Sequence, residues 1–227
     1  MEKQNFDNFA KDYDKIFDTY KEDINFYKRE ALKSKGKVLE IACGTGRIYL
    51  ELLKEGIDIY GIDISNEMLR LLKGKAKKLN LQPKVYKKDM ENFNLNNKFS
   101  LIIIPFRSFL HNLTIENQIK TLKNIKRHLT KKGRLIINFY YPDPEMIIQT
   151  KDKSRGNKSG TFFVNRIDQI IETIGSKSIK FKTSFIYKRE FELLLMLAGF
   201  KRWKIYGGFN YKSLKNFKQE MVWIIER

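Results

Sequence analysis

Lys37-Val38-Leu39-Glu40-Ile41-Ala42-Cys43-Gly44-Thr45-Gly46-Arg47 decides how this chain folds. Val38, Leu39 and Ile41 form the short apolar run of a central parallel strand. Glu40 brings a carboxylate to the carboxyl end of that strand. Gly44 and Gly46 then let the backbone turn sharply into a helix and admit a ligand where a Cβ would collide. Strand, glycine turn and helix in that order make a nucleotide-type binding corner. A dinucleotide site would want a third glycine or alanine near position 49, so that the pyrophosphate helix packs on the strand, but Tyr49 stands there. Glu40 would also repel a pyrophosphate and attract an ammonium. NAD is disfavoured on both counts.

The stretch resembles the first motif of the class I S-adenosylmethionine-dependent methyltransferases, an acidic residue followed by alternate glycines, with Ala42 where the commonest form has glycine. S-adenosylmethionine carries the ammonium that Glu40 would attract. Strand Ile57 to Ile62 closes on Asp63, about twenty residues past the glycine turn, where a carboxylate accepts from both ribose hydroxyls. Ser65 and Asn66 are better placed to cap the next helix, which carries Met68, Leu69, Leu72, Ala76 and Leu79. After the short strand Val85-Tyr86, Lys88-Asp89-Met90 matches the family's position for adenine. Asp89 would accept from the exocyclic amine and Met90 would pack on the ring. Three parallel strands then end in acids on one edge, where ligands of open α/β sheets bind.

The resemblance covers nearly the whole chain and implies an α/β fold. That fold is a Rossmann-like, doubly wound, seven-stranded sheet, mostly parallel with an antiparallel last strand, plus an N-terminal helical cover and a small antiparallel β lid. The cofactor contacts it implies are Glu40, Ala42, Cys43, Gly44, Gly46, Asp63, Ile64, Asp89, Met90 and Pro105, with S-adenosylhomocysteine as the product. Its element order is nearest the small-molecule branch, the amino-sugar and amine N-methyltransferases, whose lid sits over the acceptor.

Length and composition fit that reading. The chain has 227 residues, 42% of them hydrophobic, which suits one domain with one sizeable core. It divides into a cover over 1–34, a cofactor-binding core over 35–141, a lid over 142–189, and a helix with strands over 190–227. No apolar run approaches the roughly 18 residues of a membrane helix, and the polar start lacks a secretory h-region, so a cytoplasmic protein is expected. A single cysteine, Cys43, permits no internal disulfide and is expected to be a small side chain inside the turn. His111 and His128 form no pair at metal-binding spacing. The formal charge of +19 raises a polyanion or RNA partner. The basic residues are mostly lysine and are spread over nearly every segment, which favours a solvated basic surface.

Phe6, Phe9, Tyr13, Ile16, Phe17, Tyr20, Ile24 and Tyr27 recur at spacings of three and four, the mark of one long amphipathic helix or two broken ones. The resemblance implies that such a segment closes over the cofactor, with Tyr13 or Tyr20 near the methyl group. The apolar strand Leu101 to Ile104 runs into Pro105-Phe106-Arg107-Ser108-Phe109-Leu110-His111. This differs from the Asn-Pro-Pro-aromatic sequence of base-amine and glutamine methylating enzymes. Thr114 caps a helix bearing Ile115, Ile119, Leu122, Ile125 and Leu129, which Lys131-Lys132-Gly133 should end before strand Leu135 to Phe139.

Pro142 and Pro144 break regular structure, and Lys151 to Gly160 reads as a polar loop. Ile179, Phe181, Thr183, Phe185 and Tyr187 alternate with Lys180, Lys182, Ser184 and Lys188, and residues 161–173 can pair with that strand across Gly175-Ser176 to form the lid. A helix Glu190 to Ala198 and strands Trp203 to Tyr206 and Met221 to Ile225 complete the chain, and the lid is a possible oligomer contact. His111 is the candidate base, Arg107 a candidate anion-binding group and Tyr13 a third candidate at the reacting centre. Three functions are open: methyl transfer to a small-molecule nitrogen or oxygen, methyl transfer to RNA or protein, and cofactor binding without catalysis.

Overall fold

The computed structural model describes residues 4, 6–17, 19–144, 155–157, 160–175 and 180–227. The N-terminal periodicity resolves into two helices, α1 (Asp7–Phe17) and α2 (Ile24–Leu32). The core then alternates strand and helix: β1 (Val38–Ile41), α3 (Tyr49–Lys54), β2 (Ile59–Asp63), α4 (Asn66–Lys78), β3 (Lys84–Lys87), β4 (Phe99–Ile104), α5 (Ile115–His128) and β5 (Leu129–Tyr140). A lid sheet of β6 (Arg155–Asn157), β7 (Gly160–Asn165), β8 (Ile170–Ile174) and β9 (Lys180–Ser184) follows, then α6 (Lys188–Leu197), β10 (Arg202–Gly207) and β11 (Glu220–Glu226).

The main sheet has seven strands in the order β10-β11-β5-β4-β1-β2-β3. β1, β2, β3, β4 and β5 pair in parallel, while β11 runs antiparallel to both β5 and β10. The order reverses at β1 and β4, which places the crevice of an open α/β sheet above the glycine turn. Strand alternation divides the core into two layers. Leu101 and Ile103 of β4 pack with α2, α3 and α4, whereas Ile102 and Ile104 pack with α5 and α6.

Helix ends follow local chemistry. Ser65 Oγ accepts from the Met68 N–H and Thr114 Oγ1 from the Asn117 N–H, each satisfying a first-turn donor. The sequence misplaces the end of α5, which stops at His128. β5 starts at once and runs through Lys131-Lys132-Gly133, absorbing these residues as a register shift between the Phe99–Leu129 and Leu101–Arg134 pairs. Ile115 is 67% exposed, so the inward face of α5 is also more polar than the pattern implied. Gln118, Thr121, Asn124 and His128 are buried there because each finds a partner: Asn112, Asn112, Phe93 and Leu95 respectively.

The lid is antiparallel in the order β6-β7-β8-β9. The segment expected as one strand over 161–173 splits into β7 and β8, with Arg166 to Gln169 as their turn, and β8 rather than β7 pairs with β9. Residues 155–157, expected in a loop, pair with β7. The rest of that loop (151–154 and 158–159), as well as Ser176 and Ile179, lie outside the described residues.

Candidate active site

At the end of β1 the backbone enters the left-handed region at Ala42 (φ 55°), Gly44 (φ 53°) and Gly46 (φ 91°). Ala42 adopts a conformation that costs a non-glycine residue about 1–2 kcal/mol, which is why glycine suits this position. A Cβ on Gly46 would meet Leu72 Cγ at 2.8 Å, so Gly46 exists for the packing of the turn on α4. A Cβ on Gly44 would meet nothing within 4 Å, and Gly44 borders open space. Cys43 is buried beside Gly61, and burial pushes its thiol well above the ordinary range. It is a packing residue and not a thiolate.

Three carboxylates stand along this edge. Glu40 is 3% exposed, and its Oε2 is buried with no hydrogen-bond partner. Burial raises its pKa well above the usual range; Arg47 opposes the shift, and Asp23 and Asp63 reinforce it. Asp63 accepts from the Gly44 N–H (2.8 Å) and the Ser65 N–H (2.9 Å), which ties β2 to the glycine turn. Its pKa is raised, chiefly by burial. Asp89 accepts from the Glu91 N–H at 2.9 Å, and the Asn112 side chain approaches Met90 Sδ at 3.1 Å.

The cover is fastened at the same edge. Asp7 of α1 accepts from Ser65 Oγ and the Glu67 N–H at the N-terminus of α4. Asp14 accepts from Thr45 Oγ1 and pairs with Lys75 at 2.9 Å. Arg47 is clamped by both oxygens of Asp23 (2.6 and 2.7 Å) and lies over the rings of Tyr20 and Phe106. Tyr13 packs against Phe9, Phe17 and Phe106, and desolvation raises its pKa.

Beyond β4, Phe106 and Arg107 are both left-handed (φ 56° and 64°). Asn138 of β5 holds this strained pair. Its Oδ1 accepts from the Phe106 N–H (2.9 Å) and the Tyr27 hydroxyl (2.7 Å), and its Nδ2 donates to Glu220 (2.8 Å). Glu220 in turn takes both donors of Arg107, at 3.1 and 2.8 Å. The guanidinium expected to await an anion is thus already paired, and it lies over Tyr140. His111 Nδ1 donates to the Lys182 carbonyl of β9 (3.1 Å), and the ring sits edge-on to Phe6 and Phe181. Burial lowers its pKa. Gln4 pairs its side-chain amide with the Lys182 backbone, so cover, loop and lid meet at one residue.

These elements enclose a cavity of about 780 Å³. Ala42, Gly44, Asp63, Ile64, Asp89 and Met90 line it, as do Tyr13, Arg107 and His111. Glu40, Cys43 and Pro105 border an adjoining recess of about 20 Å³ that shares Tyr13, Ala42, Phe106 and Ser108 with the main cavity. Gly46 lines neither. Asp23, Asn138 and Glu220, which organise the site, gave no signal in the sequence, because each acts through a partner 24 to 113 positions away. Only the burial of polar residues in apolar strands, as in Ile136-Ile137-Asn138-Phe139, could have hinted at them.

A family profile described as a methyltransferase domain matches residues 38–133. The chain is also 30% identical over 163 residues to an uncharacterized methyltransferase of Bacillus cytotoxicus, covering 66% of this chain and 74% of that one. It belongs to the class I S-adenosylmethionine-dependent methyltransferases.

More particular likenesses are partial. Identity to Bacillus subtilis YqeM is 30% over 134 residues (55% of this chain, 53% of YqeM). Identity to the dTDP-3-amino-3,4,6-trideoxy-alpha-D-glucopyranose N,N-dimethyltransferase of Streptomyces venezuelae is 27% over 122 residues (53% and 50%). The chain thus spans about half the length of these two curated relatives. A crystal structure of an S-adenosylmethionine-dependent methyltransferase from Clostridium acetobutylicum shares the fold, with a TM-score of 0.76 at 19% identity over 97% of this chain and 98% of that one.

Proposed function

We propose that this chain binds S-adenosylmethionine along the β1–β2–β3 edge and methylates a nitrogen or oxygen of a small molecule held under the cover and lid. The observation that carries the reading is the single cavity of about 780 Å³ running from the edge carboxylates to the lid. Its size is that of a small-molecule site, within the roughly 300–1,000 Å³ usual for one. The Streptomyces venezuelae relative, named for an amino-sugar acceptor, supports the same branch.

The residues fit the cofactor. The orphaned Oε2 of Glu40 suits the methionine ammonium, beside Cys43 and the Pro105 turn. Asp63 keeps lone pairs for two ribose hydroxyls, and Gly44 and Ala42 leave room for the ligand. Ile64, Met90 and Asp89 suit adenine, and Gly46 supports the turn from behind. The cofactor supplies a methyl group already activated on a sulfonium.

The protein aligns the acceptor, excludes water through Phe6, Phe9 and the lid, and takes a proton at His111 Nε2. Tyr13 packs beside the reacting centre, and Arg107 acts as a structural charge on Glu220. The test is turnover to S-adenosylhomocysteine across amine and hydroxyl acceptors. Methylation of RNA or protein alone would reject the small-molecule reading, and cofactor binding that never yields product would reject catalysis.

A further inference from the structure

Away from the edge carboxylates the cavity is walled by rings. Phe6 and Phe9 enter from the cover, Phe106 and Tyr140 from the ends of β4 and β5, and Phe162 and Phe181 from the lid. Strand alternation sets this character. In β8 and β9, Ile171, Thr173, Phe181 and Thr183 face the cavity, which turns Glu172, Lys180 and Lys182 to the opposite face, where Lys180 pairs with Glu172 at 2.7 Å. A one-residue slip of β9 would have lined the chamber with lysines instead.

The other charges on the wall come from outside the lid. Asp63, Lys88, Asp89, Glu91 and Glu116 come from the ends of β2 and β3 and the first turn of α5. Arg107 is neutralised by Glu220. Among the described residues, the lid half of a protein with a net charge of +19 therefore offers an acceptor aromatic surface and no unpaired cation. Thr173, Thr183 and Tyr140 add hydroxyls to this wall, and His111 adds an imidazole. His111 Nδ1 donates to the Lys182 carbonyl, so in the neutral ring Nε2 carries the lone pair.

We propose that the acceptor is a small uncharged hydroxyarene of the phenol class, packed among Phe9, Phe106, Phe162 and Phe181 with its O–H directed at His111 Nε2. The inference rests on the methyl transfer proposed above. The O–H proton passes to His111 Nε2 and the phenolic oxygen bonds to the methyl carbon. The carbon–sulfur bond breaks with its electron pair kept by sulfur. A sulfonium and a neutral phenol thus give a thioether, an aryl methyl ether and a protonated His111, with charge conserved.

The test is calorimetric titration of p-cresol, toluene and thymidine 5′-diphosphate into the protein saturated with S-adenosylhomocysteine, whose own binding is measured first. p-Cresol is expected to bind about fivefold more tightly than toluene, the difference one hydrogen bond supplies, and at least about tenfold more tightly than thymidine 5′-diphosphate. His111→Ala should bring p-cresol to the level of toluene. Phe181→Ala should weaken both arenes about tenfold, while Lys180→Ala, on the outward face, should change neither.

Saturable thymidine 5′-diphosphate binding without p-cresol binding would overturn the proposal, as would equal binding of p-cresol and toluene. If S-adenosylhomocysteine binds and no probe does, the arene inference alone fails. If S-adenosylhomocysteine does not bind, the proposed function fails and takes this inference with it.

Discussion

Glu40 is the residue whose chemistry changes most when the site fills. Without a partner its buried carboxyl holds its proton well above the usual range. An ammonium at Oε2 favours the ionised form, so cofactor binding should expel that proton. Titrations of S-adenosylmethionine in two buffers of different ionisation enthalpy should show proton release in the wild type, with affinity rising as pH rises toward the Glu40 pKa. Glu40→Gln should abolish the buffer dependence; its persistence would move the linked group elsewhere.

His111 has the opposite sign. Its pKa lies below the ordinary 6.5 because burial disfavours the imidazolium, so Nε2 is already free at pH 7. The rate should therefore rise through a limb below pH 6.5 and be flat by pH 7. His111→Ala should lower turnover about 10²- to 10⁴-fold with cofactor affinity retained. The same depressed pKa contributes stability that is present above pH 6.5 and lost as pH falls through the folded-state value. His128, also depressed by burial, adds to that loss on acidification in the same direction.

The elements that carry the cofactor corner were legible because local sequence dictates them. An apolar run, a glycine turn and a capped helix need no distant partner, and β1, β2, α4 and β4 fall within two residues of where the pattern put them. The lid was legible as alternation, though its strand breaks were not, since the Arg166 to Gln169 turn holds no glycine or proline. Asn138 and Glu220 were illegible for another reason. Their role is to hold Phe106 and Arg107 in left-handed backbone, a tertiary arrangement that no window of sequence contains.

Gly46→Ala combines a φ of 91° with a 2.8 Å approach to Leu72 Cγ, and should destabilise the fold by about 1–3 kcal/mol. Thermal unfolding checks it, and an unchanged Tm would show that the turn relaxes freely. Asp7→Ala removes the acceptor for Ser65 Oγ and the Glu67 N–H, so α1 should lose its hold on α4. Hydrogen exchange over residues 7–17 should then accelerate, while α4 keeps its Ser65 cap and its protection. Equal acceleration in both helices would mean that Asp7 stabilises the core and not the cover.

At the scale of the whole molecule, charge and function are segregated. The lysines of β9 and α4 lie outward, while the cavity is bounded by acids and Lys88 at the sheet edge and by rings at the lid. No helix among the described residues is long and apolar enough to cross a membrane. Retention on a polyanion column should accordingly fall steeply with salt, as counterion release requires, with little effect on binding inside the cavity. Whether the β1–β2–β3 edge holds the cofactor is decided by calorimetric titration of S-adenosylmethionine into wild-type and Asp63→Ala protein. One saturable site is expected in the wild type, weakened in the variant by about 1.5–3 kcal/mol, the worth of hydrogen bonds to a charged acceptor. No binding to the wild type, or unchanged affinity in a folded Asp63→Ala variant, would contradict a cofactor site there.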